Sequence, residues 1–356
     1  MKVPDLLSPV TSYKGATEVI AAGADEIYCA VKIPGAFHLL NRPSLCCVPT
    51  YDELGKIAEY ARAMGVRTVV TLELPFLSSF LVEQMGAHIS ACVSQGIDAL
   101  IAGDVGLITL IRDMGLDIPI YASTLLGVMN YEAACFIRDL GVQRIILERH
   151  VSTSEVAEIV QRAEDVEIEV FVHGGGCSNI NANCYLRFAF PSKEAIAQTL
   201  KGSVIKGRVT PCRLPFRVYE FGGQEEELAH ACILDAYSFC SLCQLSDLVG
   251  TGVSGLKIVG RCMTRAYQVQ TTRTYRDMLD LMKQSRKRKP NRAQRKRFQS
   301  IIRSIQDAPF HEHLRQPGHS ERSAFDATPM SLREIACAEG RCYYGPFFHT
   351  PYKVLE

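Results

Sequence analysis

The sequence predicts an α/β fold: a (β/α)8 TIM-like barrel with a cysteine-rich insertion before its last strand and a C-terminal extension. Two observations support this class. Short β-rich segments alternate with amphipathic segments over residues 1–265, which is typical of parallel strands joined by right-handed crossovers. Eight such strand segments can be counted, and eight parallel strands close a β/α barrel. An open, doubly wound sheet is the alternative that the same alternation allows.

Each predicted strand is a short run rich in Val, Ile, Leu and Tyr. Between the strands, apolar residues recur at helical spacing, as in YDELGKIAEYARAMG (51–65) and NYEAACFIRDLG (130–141). Asn130 is a favourable N-cap for the second of these helices, and Gly141 is favourable at its end. The strands are predicted at DLLSPV (5–10), EIYCAV (26–31), VRTVVTL (66–72), DALIAG (98–103), IPIYAST (118–124), QRIILER (143–149), IEVFVHG (168–174) and GLKIVG (255–260).

An insertion at residues 175–254 separates the eighth strand from the seventh and holds six of the 14 cysteines. Active sites of β/α barrels lie at the carboxyl ends of the strands, so we expect these cysteines to cluster over the barrel mouth. After the barrel we predict a strongly basic helical segment at 266–300, with a helix at TYRDMLDLM (274–282). A polar C-terminal tail is predicted at 301–356.

Composition narrows the class of protein. The 356 residues are 47% hydrophobic, which is enough for a large core, and the net charge of +1 favours no particular partner. We find neither a secretion signal nor a run of about 20 apolar residues, so we expect a cytoplasmic protein without a membrane span. In a reducing compartment, clustered cysteines are more often metal ligands or redox groups than disulfides.

The cysteines of the insertion are the first candidates for chemistry. Cys177 and Cys184 flank six residues of a loop, Cys240 and Cys243 form a C-x-x-C pair, and Cys212 is a fifth candidate. Thiolates without a histidine pair favour an iron–sulfur cluster or a zinc ion held by four cysteines. Two other interpretations stay open: the thiols are core residues of a loop-rich cap, or one of them is a nucleophile beside the histidine that ends the seventh strand.

Charged residues at the strand ends are the second group of candidates. His173 ends the seventh strand, where an acid or base is expected, although a structural histidine fits equally well. The period of two places Glu169 on the same face; if that face is the barrel interior, Glu169 needs a partner, Lys257 or Arg261. An outward-facing Glu169 is the alternative. Arg149 and Arg261 suit either a bound carboxylate or phosphate, or structural ion pairs.

The segment KQSRKRKPNRAQRKRF (283–298) contains nine Lys or Arg residues and no acidic residue. Residues 283–297 are therefore a candidate for binding the phosphate backbone of RNA. The nearest aromatic residue is Phe298 at the edge of the run, so no base-stacking surface is evident. A solvated helix or a flexible linker is the favoured alternative.

Three segments resemble peptidase family U32, the collagenase-like peptidases. They are VFVHGGGCSNINANCYLRF (170–188), GVSGLKIVGR (252–261) with the TRAYQVQTTRTYR that follows, and ASTLLGVMNYEAACFIRDLGVQRIILERHVS (122–152). The resemblance covers most of residues 1–280 and implies a barrel-like N-terminal domain. Several members of this family resemble oxygen-independent hydroxylases that act on ubiquinone precursors or RNA bases and carry a 4Fe-4S cluster on four cysteines.

Matched by position, the resemblance implies that Cys177 and Cys184 are the first two cluster ligands and that Cys212 is the third. Cys243 or Cys240 is the expected fourth ligand, with Cys232 as a further alternative. The chain departs from the family pattern at two positions: Val259 replaces the glutamate of K-I-E-G-R, and Leu125 replaces a glutamine after S-T. Cys337 and Cys342 have no counterpart in that pattern.

The first functional hypothesis is therefore a redox enzyme with a 4Fe-4S cluster, most simply an oxygen-independent hydroxylase of a small aromatic molecule or a nucleobase. Arg149 and Arg261 would hold an anionic substrate, and His173 would move a proton. The second hypothesis is a peptidase, which the family name implies. The third is a non-catalytic iron–sulfur or zinc scaffold that works with a partner subunit of the same family.

Overall fold

Eight strand segments pair in parallel and close into a barrel in the computed structural model, with the spatial order β1-β10-β7-β6-β5-β4-β3-β2. Two further strands form a separate antiparallel pair, β8-β9. The strands are β1 (Asp5–Pro9), β2 (Glu26–Cys29), β3 (Arg67–Leu72), β4 (Ala99–Ala102), β5 (Ile120–Ala122), β6 (Arg144–Ile146), β7 (Glu167–His173), β8 (Phe216–Tyr219), β9 (Glu227–Ala231) and β10 (Gly255–Ile258). The structure describes residues 3–33, 47–72, 74, 77–174, 177, 179–184, 216–219, 227–231, 241–261 and 263–284.

Helices follow the barrel strands along the chain. Four short 3-10 turns lie among the described residues, at Ser79–Leu81, Thr124–Leu126, Asn181–Asn183 and Leu242–Gln244. The helices are α1 (Tyr13–Ala21), α2 (Tyr51–Ala63), α3 (Val82–Val93), α4 (Val105–Asp113), α5 (Tyr131–Asp139), α6 (Thr153–Arg162), α7 (Leu245–Gly250) and α8 (Arg265–Gln284).

Local sequence signals set the helix boundaries. Five helices begin after a residue whose side chain accepts a hydrogen bond from the first turn: Ser12, Thr50, Asp104, Asn130 and Ser152. Asn130 is the N-cap that the sequence predicts. These caps satisfy donors that the helix cannot pair internally, so each strand-to-helix connection is fixed at the barrel rim.

The register closes the barrel through β1. Leu7 is the partner of Lys257 on one side and of Glu26 on the other. Residues of both faces of the strands are buried, because side chains fill the interior and helices cover the exterior. The predicted barrel is confirmed, and the closed strand order excludes the open doubly wound sheet.

The C-terminal helix belongs to the barrel wall. α8 contacts α1 and β1, so it serves as the helix of the eighth β/α unit. It begins at Arg265, nine residues before the predicted start at Thr274. Its buried residues include Tyr267 and Tyr275, and these aromatic side chains help to hold the end of β7.

The insertion is described only in part. β8 and β9 form its antiparallel pair, and α7 buries Leu245, Leu248 and Val249 in the core ahead of β10. The predicted basic segment beyond residue 284 and the predicted tail at 301–356 lie outside the described residues. None of the helices in the described ranges combines the length and hydropathy needed to cross a bilayer.

Candidate active site at the barrel mouth

Buried charges are paired near the amino ends of the strands. Arg144 Nη1 donates to Glu26 Oε2 at 2.8 Å and to Glu169 Oε2 at 3.0 Å. These three residues are at most 1% exposed. Arg67 also pairs with Glu26, and the Arg144 guanidinium lies 4.4 Å from the centre of the Tyr121 ring. We call Glu26, Arg144 and Glu169 the lower ion-pair layer; its charges compensate one another, as burial requires.

Lys257 joins this layer to the upper part of the barrel. Its Nζ donates to Glu169 Oε1 at 3.1 Å and lies 4.3 Å from the centre of the Tyr28 ring. Burial lowers the pKa of Lys257, and the attraction of Glu169 only partly opposes that shift. Glu169 is thus buried and pairs with Lys257, one of the two partners that the sequence offered for an inward-facing Glu169, and Arg144 is a second partner that the sequence did not reveal.

Two arginines approach aromatic rings nearer the mouth. The guanidinium of Arg149 lies 4.5 Å from the centre of the Phe171 ring, and that of Arg261 lies 5.5 Å from the centre of the Tyr28 ring. Lys257 and Phe171 are register partners on adjacent strands, so these cations and rings are neighbours around the barrel. We call Arg149, Lys257 and Arg261 the upper cation layer.

Arg149 keeps hydrogen-bonding capacity that its surroundings do not use. The residue is 5% exposed, and its buried Nε has no hydrogen-bond partner within the described part of the chain. Its closest carboxylate contact is Glu148, with 3.8 Å between Nη1 and Oε1, which is too long for a direct hydrogen bond. A buried guanidinium with free donors suits an incoming oxygen ligand.

Glu148 connects several segments at the rim. Its Oε2 accepts from Asn181 N at 2.9 Å and from Thr124 Oγ1 at 3.1 Å, and its Oε1 accepts from Arg149 N at 3.0 Å. His150 Nδ1 lies 3.5 Å from the same Oε1. Burial raises the pKa of the Glu148 carboxyl, but His150, Arg149 and the two backbone N–H groups together hold that pKa below its ordinary value.

Cys177 and Cys184 lie on the loop that Glu148 contacts, on either side of the 3-10 turn Asn181–Asn183. Both are free thiols and are partly buried. Burial raises the pKa of Cys177; backbone hydrogen bonding and Arg149 oppose that shift, and Glu148 and Cys184 add to it. Cys184 thus lies near enough to Cys177 to influence its pKa, and two free thiols on one loop are a donor pair suited to a thiolate-bound cluster.

His173 is enclosed by α8. Its Nδ1 lies 3.3 Å from the Tyr275 hydroxyl, and its ring packs against the rings of Tyr267 and Tyr275. Gly174 follows with φ of 74°, and a Cβ there would lie 2.6 Å from the Val259 carbonyl oxygen. The 1% exposure of His173 and its aromatic contacts favour the structural interpretation, and its proton-transfer role stays a prediction.

The backbone of Cys243 lies near the end of β7. It belongs to the turn Leu242–Gln244, and the preceding Ser241 donates its N–H to the Val172 carbonyl oxygen at 2.9 Å. No group of three metal-binding side chains occurs among the described residues, which include only two of the predicted ligands with their side chains. The predicted positions outside the described residues are Cys212, Cys232, Cys240, Cys337, Cys342 and the basic run from residue 285 onward.

Sequence reasoning gave no role to Glu26, Arg144 or Glu148. A signal was present for all three, because each is a charged residue in or next to a strand of otherwise apolar residues. Such a charge is buried when the strand lies in a barrel and so requires a partner. The partners themselves are distant in sequence and could not be paired without the closed barrel.

Comparison with known proteins identifies several relatives of this chain. The chain is 28% identical over 285 residues to the 23S rRNA 5-hydroxycytidine synthase of Escherichia coli, covering 79% of this chain and 40% of that protein. It is 29% identical over 293 residues to the tRNA hydroxylation protein P of Helicobacter pylori, covering 79% and 65%. It is 24% identical over 291 residues to a collagenase of Porphyromonas gingivalis, covering 78% and 65%. The chain thus spans less than two thirds of the length of each of these relatives.

A solved structure of the U32 peptidase Mk0906 is 16% identical, with a TM-score of 0.45, and covers 73% of this chain and 94% of that one. The model of peptidase family U32 matches residues 11–321, which is most of the chain. The match includes the barrel strands from β2 onward, the thiol-bearing loop and the segment around Lys257 and Arg261. The chain belongs to peptidase family U32.

Proposed function

We propose that this chain is the barrel of an oxygen-independent hydroxylase that carries a 4Fe-4S cluster at the barrel mouth and converts a C–H bond of a nucleobase in RNA to C–OH. The oxygen atom would come from an organic oxygen-donor co-substrate, which is reduced by two electrons in the same reaction. The observation that carries the proposal is the pair of free thiols, Cys177 and Cys184, beside the buried Arg149. Relatives named for rRNA and tRNA hydroxylation favour a nucleobase over a free small aromatic substrate.

In this proposal Cys177, Cys184 and Cys212 are three ligands of the cluster. Cys243 is the preferred fourth, because its backbone lies near the end of β7; Cys240 and Cys232 are the alternatives. When bound, a 4Fe-4S cluster supplies one-electron redox chemistry at the mouth. Protein side chains would bind the substrate and move protons.

The upper cation layer binds and orients the substrate in this proposal. Arg149 is buried and its Nε has no hydrogen-bond partner among the described residues, and Arg261 lies over the Tyr28 ring. Guanidinium groups such as these suit an anionic or carbonyl oxygen. Lys257 holds a proton next to Glu169, and burial lowers its pKa, which makes that proton easier to release. His173 fixes the end of β7 against α8, where its contacts lie.

A base inside a folded RNA has to leave its stack to reach this site. Enzymes that modify bases extrude the target nucleotide or act on single strands. The basic run at 283–297 follows α8 and supplies the positive charge that an RNA backbone requires. A partner subunit of the same family would provide further RNA contacts, and this chain spans only 40% to 65% of those relatives.

A peptidase is the second candidate, and the similarity to the collagenase favours it. A cysteine peptidase needs a thiol of lowered pKa, usually with a histidine beside it. Burial instead raises the pKa of Cys177. The raised pKa therefore argues against an activated cysteine nucleophile, whereas a metal ion would itself deprotonate a thiol that binds it.

Mass spectrometry of ribonucleosides tests the proposal. Total rRNA and tRNA from cells that lack the gene should lose one hydroxylated nucleoside, and the wild-type gene should restore it. Cys177→Ser should not restore it, whereas Cys135→Ser should, because Cys135 lies on α5 away from the mouth. An unchanged set of RNA nucleosides, together with peptide cleavage that depends on Cys177, would favour the peptidase.

A further inference from the structure

The carboxylate of Glu148 lies where three segments of the rim meet. It follows β6 directly, it accepts from Thr124 after β5, and it accepts from the backbone N–H of Asn181 between the two thiols. The side chain of Glu148 is 0% exposed. A buried carboxylate that accepts from donors on other segments fixes those segments relative to one another.

A second contact holds the same two segments together. The 3-10 turn Thr124–Leu126 packs against the 3-10 turn Asn181–Asn183. Gly127 ends the first turn with φ of 65°, and a Cβ at Gly127 would lie 2.9 Å from the Cβ of Ala182. The loop therefore approaches the rim so closely that a side chain at position 127 would displace it.

We propose that Glu148 is a positioning residue for Cys177 and Cys184, locking the loop that carries both thiols to the barrel rim. This inference rests on the proposed function, because it gives Glu148 the role of fixing the spacing between two cluster ligands. The thiols flank the Asn181–Asn183 turn, so the hydrogen bond to Asn181 N acts at the middle of the loop. Holding the middle of a short loop restricts both ends together.

Position 148 requires a carboxylate rather than another polar group of the same shape. Oε1 and Oε2 both accept from backbone N–H groups, of Arg149 and of Asn181. A glutamine has one oxygen and one NH2 group, so it would place a donor against one of these donors. Glu148→Gln thus keeps the volume of the side chain and breaks one half of its hydrogen bonding.

The hydrogen bond between Glu148 and the loop can also be removed by a substitution in the loop. Asn181→Pro removes the N–H that Glu148 accepts from and leaves the carboxylate intact. Asn181 begins a 3-10 turn and Ile180 before it is extended, with φ of −64° and ψ of 127°, so the backbone tolerates proline there. Glu148→Gln and Asn181→Pro change different chemical groups but release the same loop. An effect shared by both variants therefore indicates loop release rather than a general loss of folding.

The experiment is alkylation of the metal-free, reduced full chain with iodoacetamide, with the labelling rates of Cys177 and Cys184 followed by peptide mass spectrometry. Loss of a charge-assisted hydrogen bond should raise both rates by about tenfold in Glu148→Gln and in Asn181→Pro. Glu158→Gln, an exposed carboxylate on α6, is the matched control and should leave both rates unchanged. Cys135 in the same samples reports global unfolding, and its rate should stay constant.

A second readout links the lock to metal. After anaerobic reconstitution with iron and sulfide, both variants should lose iron to a chelator at least about tenfold faster than wild type. If both variants label at wild-type rates, Glu148 does not position the loop, whether or not iron binds. Increased labelling in a chain that never retains iron would support the lock and contradict the proposed cluster, so the two ideas fail separately.

Discussion

The two ends of the barrel interior treat buried charge in different ways. In the lower ion-pair layer, Arg144 lies within 3.0 Å of a carboxylate oxygen of both Glu26 and Glu169. In the upper cation layer, Arg149 lies over the Phe171 ring, its Nε has no hydrogen-bond partner among the described residues, and Glu148 is 3.8 Å away. Compensated charge holds the barrel together, whereas the Nε of Arg149 is left without a hydrogen-bond partner in the described part of the mouth.

The largest expected effect on stability comes from breaking the lower layer. Arg144→Met leaves Glu26 and Glu169 buried together without their shared cation, which should lower the free energy of unfolding by about 3 to 5 kcal/mol. Urea denaturation measures this change. Arg162→Met removes an arginine from exposed ion pairs and should give no resolvable change. Equal losses in both variants would show that the lower layer is not specially stabilising.

A smaller effect is expected from the pH dependence of Glu148. Its pKa is lowered in the folded chain, so the unfolded chain binds more protons as the pH falls below the ordinary value of 4.5. The stability that Glu148 contributes is present above pH 4.5 and is lost as the pH falls through the folded pKa. Glu148→Gln should reduce this loss of stability, and Glu158→Gln should keep the wild-type slope. Urea midpoints between about pH 3 and pH 6 test this, and identical slopes would contradict it.

Changing the upper layer should affect stability still less and activity strongly. Arg149→Met removes a guanidinium whose Nε has no hydrogen-bond partner within the described part of the chain, so the free energy of unfolding should change by less than about 1 kcal/mol. Substrate turnover by the chain should fall by at least about tenfold, because a charged hydrogen bond to the substrate is lost. Arg149→Lys keeps the charge and should be intermediate. A marked loss of stability with full activity would assign Arg149 to structure.

Changes in the basic run should affect neither the lower ion-pair layer nor the upper cation layer. Replacing Arg286, Lys287, Arg288 and Lys289 by Gln should leave the urea midpoint unchanged and weaken binding to tRNA. The dependence of binding on salt should also become shallower, because fewer counterions are released. Fluorescence anisotropy at several salt concentrations measures both. Unchanged affinity and slope would mean that the run is a solvated linker.

The sequence predicted the barrel because the alternation of strand and helix patterns is a local signal. The structure confirms these elements in the same order along the chain. The sequence offered Lys257 or Arg261 as the partner of Glu169 if Glu169 faced the interior, because both lie on or just after the neighbouring strand; the structure shows Lys257. The Arg144–Glu26 contact joins residues 118 positions apart, and no local pattern indicates such a pair. The sequence allowed both a catalytic and a structural interpretation of His173, because it does not show that α8 brings Tyr267 and Tyr275 into contact with this histidine.

The cluster is the central claim, and metal analysis tests it most directly. Protein purified without oxygen should contain about four iron and about four acid-labile sulfide per chain. Cys177→Ser and Cys184→Ser should each lose most of this iron, while Cys135→Ser should retain it. Zinc without sulfide would make the thiols a structural site, and the absence of both metals from freshly prepared wild-type protein would contradict the account.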